Sequence, residues 1–282
     1  MPSLQAPSRP AGVPGRALWA LTALAAVLIA AFIAAPGVLA GGGFAGERGL
    51  ADALRGSFIG YWSSGDRDPS PGLEGVIDYW SRYHLAKGAI AALLLAVLVA
   101  LGVVLWKAFL NAGGSGKGRK ALVPAGLLVT ALALVSLLAV MANLQGAAAP
   151  FSSLLPMLTD GEPGARLTGV LDQIRAQLAA SPDANGDVRP ALDAMIDDFA
   201  RYHAVMAVSA AVVAAALIGL SAVLWRRFAA AEPSGGRTRR VLGSFGALSA
   251  LLAPAMIVVA AANTTTAADP VPALLAFFEG GW

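Results

Sequence analysis

The chain has no cysteine and only two histidines, His84 and His203, in 282 residues. Without thiols, disulfides, thiolate zinc sites and cysteine nucleophiles are excluded, and the redox compartment cannot be read. Charge is scarce as well. Asp, Glu, Lys and Arg make up 13% of the chain, against roughly 25% in a soluble domain. No long apolar run has an ionisable residue near its centre, so the intramembrane relay of a proton-coupled transporter is missing and an ion channel is disfavoured.

Other site chemistries fail on spacing. Gly113-Gly-Ser-Gly-Lys117-Gly lacks the spacing and the final Ser or Thr of a phosphate loop. Asp183-Ala-Asn185-Gly-Asp187 starts like a calcium loop, but Val188 stands where glycine is needed and Ala194 where the closing Glu belongs. It reads as a turn. No Ser/His/acid set stands out, so the expectation is a non-enzymatic protein without a metal site.

What the chain has in abundance is apolar sequence: 57% hydrophobic residues and a mean hydropathy of +0.68. Five stretches, 17–40, 85–106, 121–143, 203–225 and 241–263, reach the about 20 apolar residues that cross a hydrocarbon core. The fold expected is an all-α polytopic bundle whose first partner is the lipid bilayer.

Charge orients the spans. The tail to Arg16 and the loops 107–120 and 226–240 carry 11 basic residues and one acid, Glu232, whereas the remaining segments carry 9 basic and 16 acidic residues. Short basic loops stay in the cytoplasm, so the N-terminus is expected inside and the C-terminus outside. The basic residues flank spans and suit anionic headgroups; nucleic acid is not needed to explain a pI near 9.5. Sixteen arginines against four lysines, with abundant alanine, suggest a GC-rich bacterial genome and hence a bacterial inner membrane. Residues 17–40 also resemble a cleavable signal peptide ending at Ala40, but the apolar run of about 19 residues exceeds the usual h-region of about 7–15. Retention is the reading adopted.

The chain repeats itself. "PGLEGVIDYWSRYH", ending at His84, returns as "RPALDAMIDDFARYH", ending at His203. At an offset of 119, Pro71, Leu73, Ile77, Asp78, Arg82, Tyr83 and His84 match Pro190, Leu192, Ile196, Asp197, Arg201, Tyr202 and His203. At 120, Gly126, Asn143, Pro150 and Leu154-Leu155 match Gly246, Asn263, Pro270 and Leu274-Leu275. This reads as a tandem duplication. After a tail of 1–16, unit 1 is 17–120 (outer segment 41–84), unit 2 is 121–240 (outer segment 144–202), and 241–282 is a half unit. Equivalent spans run in the same direction, which makes the repeat parallel.

Each phrase begins on a proline that suits a first helical turn, with Ser70 as N-cap for the first, and no later proline interrupts 71–106 or 190–225. Two helices are therefore expected to run from the outside into the membrane, with roughly 13 residues standing clear of it. Leu73, Ile77, Trp80 and His84, and Leu192, Ile196, Phe199 and His203, form an apolar seam on each. Glu74, Asp78 and Arg82, or Asp193, Asp197 and Arg201, lie four apart on another face and are expected to pair with each other. Tyr79, Trp80, Tyr83, Trp106 and Trp225 suit an interfacial aromatic belt.

Something must cover the seams. Leu50, Leu54, Phe58 and Trp62, and Leu167, Val170, Leu171, Ile174 and Leu178, recur at helical spacing in the outer segments, and together they predict an extracytoplasmic helical cap. The functional expectation is a binding, scaffold or sensor role of that cap, with other envelope proteins as partners. Two alternatives stand beside it. His84 and His203 could hold a haem b between equivalent helices for electron transfer, and the space between the units could carry an apolar substrate.

Overall fold

The computed structural model describes residues 15–111, 117–180, 189–232 and 235–281, and no strand occurs among them. The chain is all-helical. Its elements are α1 (Gly15–Ala34), α2 (Pro36–Leu39), α3 (Gly46–Ser64), α4 (Pro71–Asn111), α5 (Lys117–Ala148), α6 (Pro150–Leu154), α7 (Pro156–Thr159), α8 (Ala165–Ala180), α9 (Pro190–Ala230), α10 (Gly236–Ala268) and α11 (Pro270–Phe278). The glycine-rich run after Ala112 and the turn around Asn185 lie outside the described residues.

Proline sets much of this punctuation. α2, α4, α6, α7, α9 and α11 each begin on one, because the ring presets the helical φ and the missing N–H would have had no partner there. Conversely, Pro36 cannot extend the ladder of α1, so that helix stops at Ala34 instead of running to residue 40. Pro124 and Pro254 are tolerated inside α5 and α10, as apolar spans allow. α3 stops on Gly65, whose left-handed φ of 74° a side chain would disfavour.

α1, α4, α9, α10 and the 121–148 part of α5 are long and apolar enough to cross a membrane. α4 and α9 each have 41 residues and start 119 positions apart. At 1.5 Å per residue each is about 62 Å long, twice a hydrocarbon core of about 30 Å. The expected helices through 71–106 and 190–225 are present, and both continue five residues further.

The chain divides into two compact units. The first joins the described residues of 1–33 and 90–139 around Ala25, Leu98, Leu101, Leu105 and Val129. Here Trp106 lies across Gly126, where an added Cβ would come within 2.9 Å of the indole. The Ser136 hydroxyl donates to the Ala91 carbonyl at 2.8 Å.

The second unit joins residues 34–89 and 140–282. Its core gathers Leu50, Leu54, Phe58, Tyr61 and Trp62 of α3, Leu73 and Val76 of α4, and Leu167, Val170, Leu171, Ile174 and Leu178 of α8. The start of α9 adds Leu192, Met195 and Phe199. The short helices complete it with Phe151, Leu154, Leu158, Leu274, Phe277 and Phe278. Two of its aromatic polar groups are paired: Trp62 donates to Gln173 at 2.9 Å, and the Tyr61 hydroxyl lies 3.1 Å from the Arg67 carbonyl and 3.2 Å from that of Ala191. Burial pushes the Tyr61 phenol up to about 12, against the pull of nearby Arg67. In the same unit α9 and α10 run antiparallel, with small residues buried on each: Ala207, Ala210 and Ala214 on α9, and Gly246, Ser249 and Ala253 on α10.

Candidate functional site

His84 sits in α4 one turn after Trp80, whose ring meets the imidazole edge-on with centroids 4.6 Å apart. His203 has the same relation to Phe199 in α9, also at 4.6 Å. Each ring is then held by the following long helix. His84 Nδ1 lies 3.0 Å from Asn143 Oδ1 of α5, and His203 Nδ1 lies 2.8 Å from Asn263 Oδ1 of α10. Asn263 uses its amide nitrogen to donate to the Val259 carbonyl at 2.9 Å, so its oxygen faces the histidine and Nδ1 carries the proton. A neutral ring so oriented leaves its acceptor lone pair on Nε2. Both Nε2 atoms are buried and have no hydrogen-bond partner.

Close packing surrounds His84 in particular. Its ring lies against Gly146 of α5, where a Cβ would stand 2.8 Å from Cγ and Nδ1. Ser81 donates to the Ala147 carbonyl at 2.9 Å, one turn earlier on α4. Gln145 of α5 turns the other way and donates to the Tyr202 carbonyl of α9 at 3.1 Å. The two histidines therefore occupy two like sites, α4 against α5 and α9 against α10, each with its own asparagine.

The other residues of the repeated phrase fall into place unevenly. Leu73, Leu192 and Phe199 are buried, while Ile77, Trp80 and Ile196 are partly buried against the same core. Trp80 donates to Ser153 at 2.7 Å and stacks on Tyr83, so it is a packing residue more than a belt residue. Trp225 lies over Gly246 and is otherwise exposed. The charged face does not pair with itself as expected. Asp193 and Asp197 both take Arg67 from the α3–α4 connection. Arg201 faces Asp198 at 3.5 Å, and Arg82 donates to the Ala40 carbonyl at 3.1 Å. Asp78 is exposed. Asp198 accepts the Ser152 N–H at 2.8 Å, at the start of α6.

Sequence reasoning missed Asn143, Asn263 and Gly146 as partners of the histidines. The signal was available, because the asparagines recur 120 positions apart just as the histidines recur 119 apart. It also missed Val76 and Met195, which are buried more deeply than Ile77 and Ile196 beside them. Among the described residues, no three His, Cys, Asp or Glu side chains converge as a metal site. Compared with known proteins, the chain matches no family model, no curated sequence and no solved structure.

Proposed function

We propose that this is a multi-pass protein of a bacterial inner membrane, N-terminus inside. On this reading it arose by tandem duplication and acts through a helical cap on the extracytoplasmic face, in a binding, scaffold or sensor role without catalysis. One observation carries the proposal: a core built from α3, α8, the short helices and the starts of α4 and α9, in sequence regions too polar or too short to cross a bilayer. Such a core exceeds what turns between spans require. The duplication is supported by paired detail, namely 41-residue helices on matched prolines, matched His–Asn bonds and tryptophans laid on matched glycines.

The test is photo-crosslinking in living cells from exposed cap positions, Asp52 in α3 and Asp172 in α8. A discrete protein adduct is expected from the cap positions and none from Leu251, which faces outward from α10. Only lipid adducts, or none, at both cap positions would overturn the partner-binding role.

A second reading, a haem b electron carrier, draws on the two buried Nε2 atoms without partners. With Nδ1–H held by an amide oxygen, Nε2 is the atom a metal would take. The iron would need both imidazoles on one site, and it would have to open the packing that seals each Nε2. Protein purified from its own host with haem available should show a Soret band under this reading and none under the first. His84→Gln or His203→Gln alone should abolish any such band.

A further inference from the structure

In the first unit a cavity of about 330 Å³ opens among α1, α4 and α5. Ile29 and Ile33 of α1 form one wall, Leu94 and Leu98 of α4 another, and Val135 and Ala139 of α5 a third. The lining presents carbon only. The one hydroxyl present, Ser136, gives its proton to the Ala91 carbonyl across the floor.

We infer that this groove holds one acyl chain of a membrane lipid as a resident ligand. Water cannot fill it, because a buried water requires polar partners. Left empty, its walls would lose their dispersion contacts. The surrounding helices have the hydropathy of membrane spans, so hydrocarbon is the available filler. A polar or charged substrate would meet no group able to replace its hydration.

The groove exists because its floor is small. Ala91, Ser136 and Ala139 are matched in the second half by Ala210, Met256 and Val259, two of which carry larger side chains. Lipid tails are as apolar as leucine, so no hydrophobic gain draws a chain in. Residence rests on shape: a chain in the groove touches three helices, where a chain in the bilayer annulus touches one. On the proposed orientation the groove faces the outer leaflet, since it lies at the last turns of α1. The inference is independent of the cap and of the histidines.

The experiment uses the full chain in bilayer nanodiscs containing a phospholipid with a photoreactive group along one acyl chain. After illumination and digestion, adducts on the peptides holding residues 29–33 and 132–139 should exceed those at outward-facing Leu251 and Val258 by about fivefold or more. Native mass spectrometry after detergent exchange should retain one lipid per chain. Ala139→Leu, which fills the groove, should bring adducts to the Leu251 level and remove the retained lipid. Val135→Trp, at the exposed rim, should do the same and guards against misfolding of the first variant. Equal labelling of groove and outer surface, or a retained lipid unaffected by a folded filling variant, would show annular lipid only and overturn the proposal.

Discussion

A methyl group at Gly146 tests the packing around His84 directly. The Cβ of Gly146→Ala would stand 2.8 Å from two ring atoms of His84 and 2.9 Å from a third, whereas carbon contacts settle near 3.5 Å or more. Helix or ring must therefore shift by about 0.7 Å. The ring is poorly free to retreat, because Asn143 holds Nδ1 at 3.0 Å while Trp80 and Tyr83 flank it. Overpacking of this kind costs about 1–3 kcal/mol. Against it stands the better helix propensity of alanine, about 0.8–1 kcal/mol, so the net loss should be about 0–2 kcal/mol. Gly75→Ala isolates the second term, since a Cβ there meets nothing within 4 Å. It should stabilise by up to about 1 kcal/mol. The difference between the two variants, about 1–3 kcal/mol, is the quantity to measure by equilibrium unfolding in mixed micelles. In a His84→Ala background that difference should vanish, a coupling that a double-mutant cycle reads out. If Gly146→Ala stabilised as much as Gly75→Ala, the imidazole would not lie where the packing argument needs it.

Phe199→Ala should destabilise by about 3–5 kcal/mol, the usual loss for a buried phenylalanine, and a thermal transition unchanged in detergent would refute a packed cap. His203→Gln should cost only about 1 kcal/mol, the worth of one altered hydrogen bond, as read by the same unfolding titration. Arg67→Ala should shift the unfolding midpoint little despite its two ion pairs, because all three side chains are about half exposed and screened by solvent; a large loss, or one insensitive to salt, would contradict this. Tyr61 has a folded pKa raised from 10.0 to about 12, so its contribution is complete below pH 10 and lost as pH rises towards 12. Tyr61→Phe should flatten the alkaline limb of a stability profile. Reporter fusions after residues 115 and 235 should report cytoplasm and those after 65, 180 and 282 the outside; a cytoplasmic signal at 180 would overturn the topology.

Long periodic elements were legible from sequence, and long-range pairings were not. Leu50, Leu54, Phe58 and Trp62, and Leu167 through Leu178, declared their burial through helical spacing, and all nine are in the second unit's core. The seam of α4 was read too narrowly. Val76 is buried beside Ile77, which packs partly buried against the same core, and only the arrangement of the neighbours shows that both positions are used. α6, α7 and α11 have 5, 4 and 9 residues, too few to show a period, so their buried Leu154, Leu158 and Phe278 gave no pattern. Arg67 binds acids 126 and 130 positions away, which no local rule of charge spacing anticipates. The histidines were legible as a pair, and the asparagine that each one meets was not. A repeat marks equivalent positions, while the bond each one makes belongs to its own helix pair.

The attachments between α9 and α10 have a mechanical meaning. Two of them lie far apart, at His203 with Asn263 and at Trp225 over Gly246. Twenty-two residues separate His203 from Trp225 along α9, about 33 Å of helix. A sliding stroke of one turn, about 5.4 Å, would tear the hydrogen bond at one end and lift the indole off its glycine at the other. Rotation of either helix about its own axis would do the same. What remains cheap is for the two helices to lean together as one stiff rod, so a load applied at the His203 end reaches the Trp225 end as a change of tilt and never as a piston stroke.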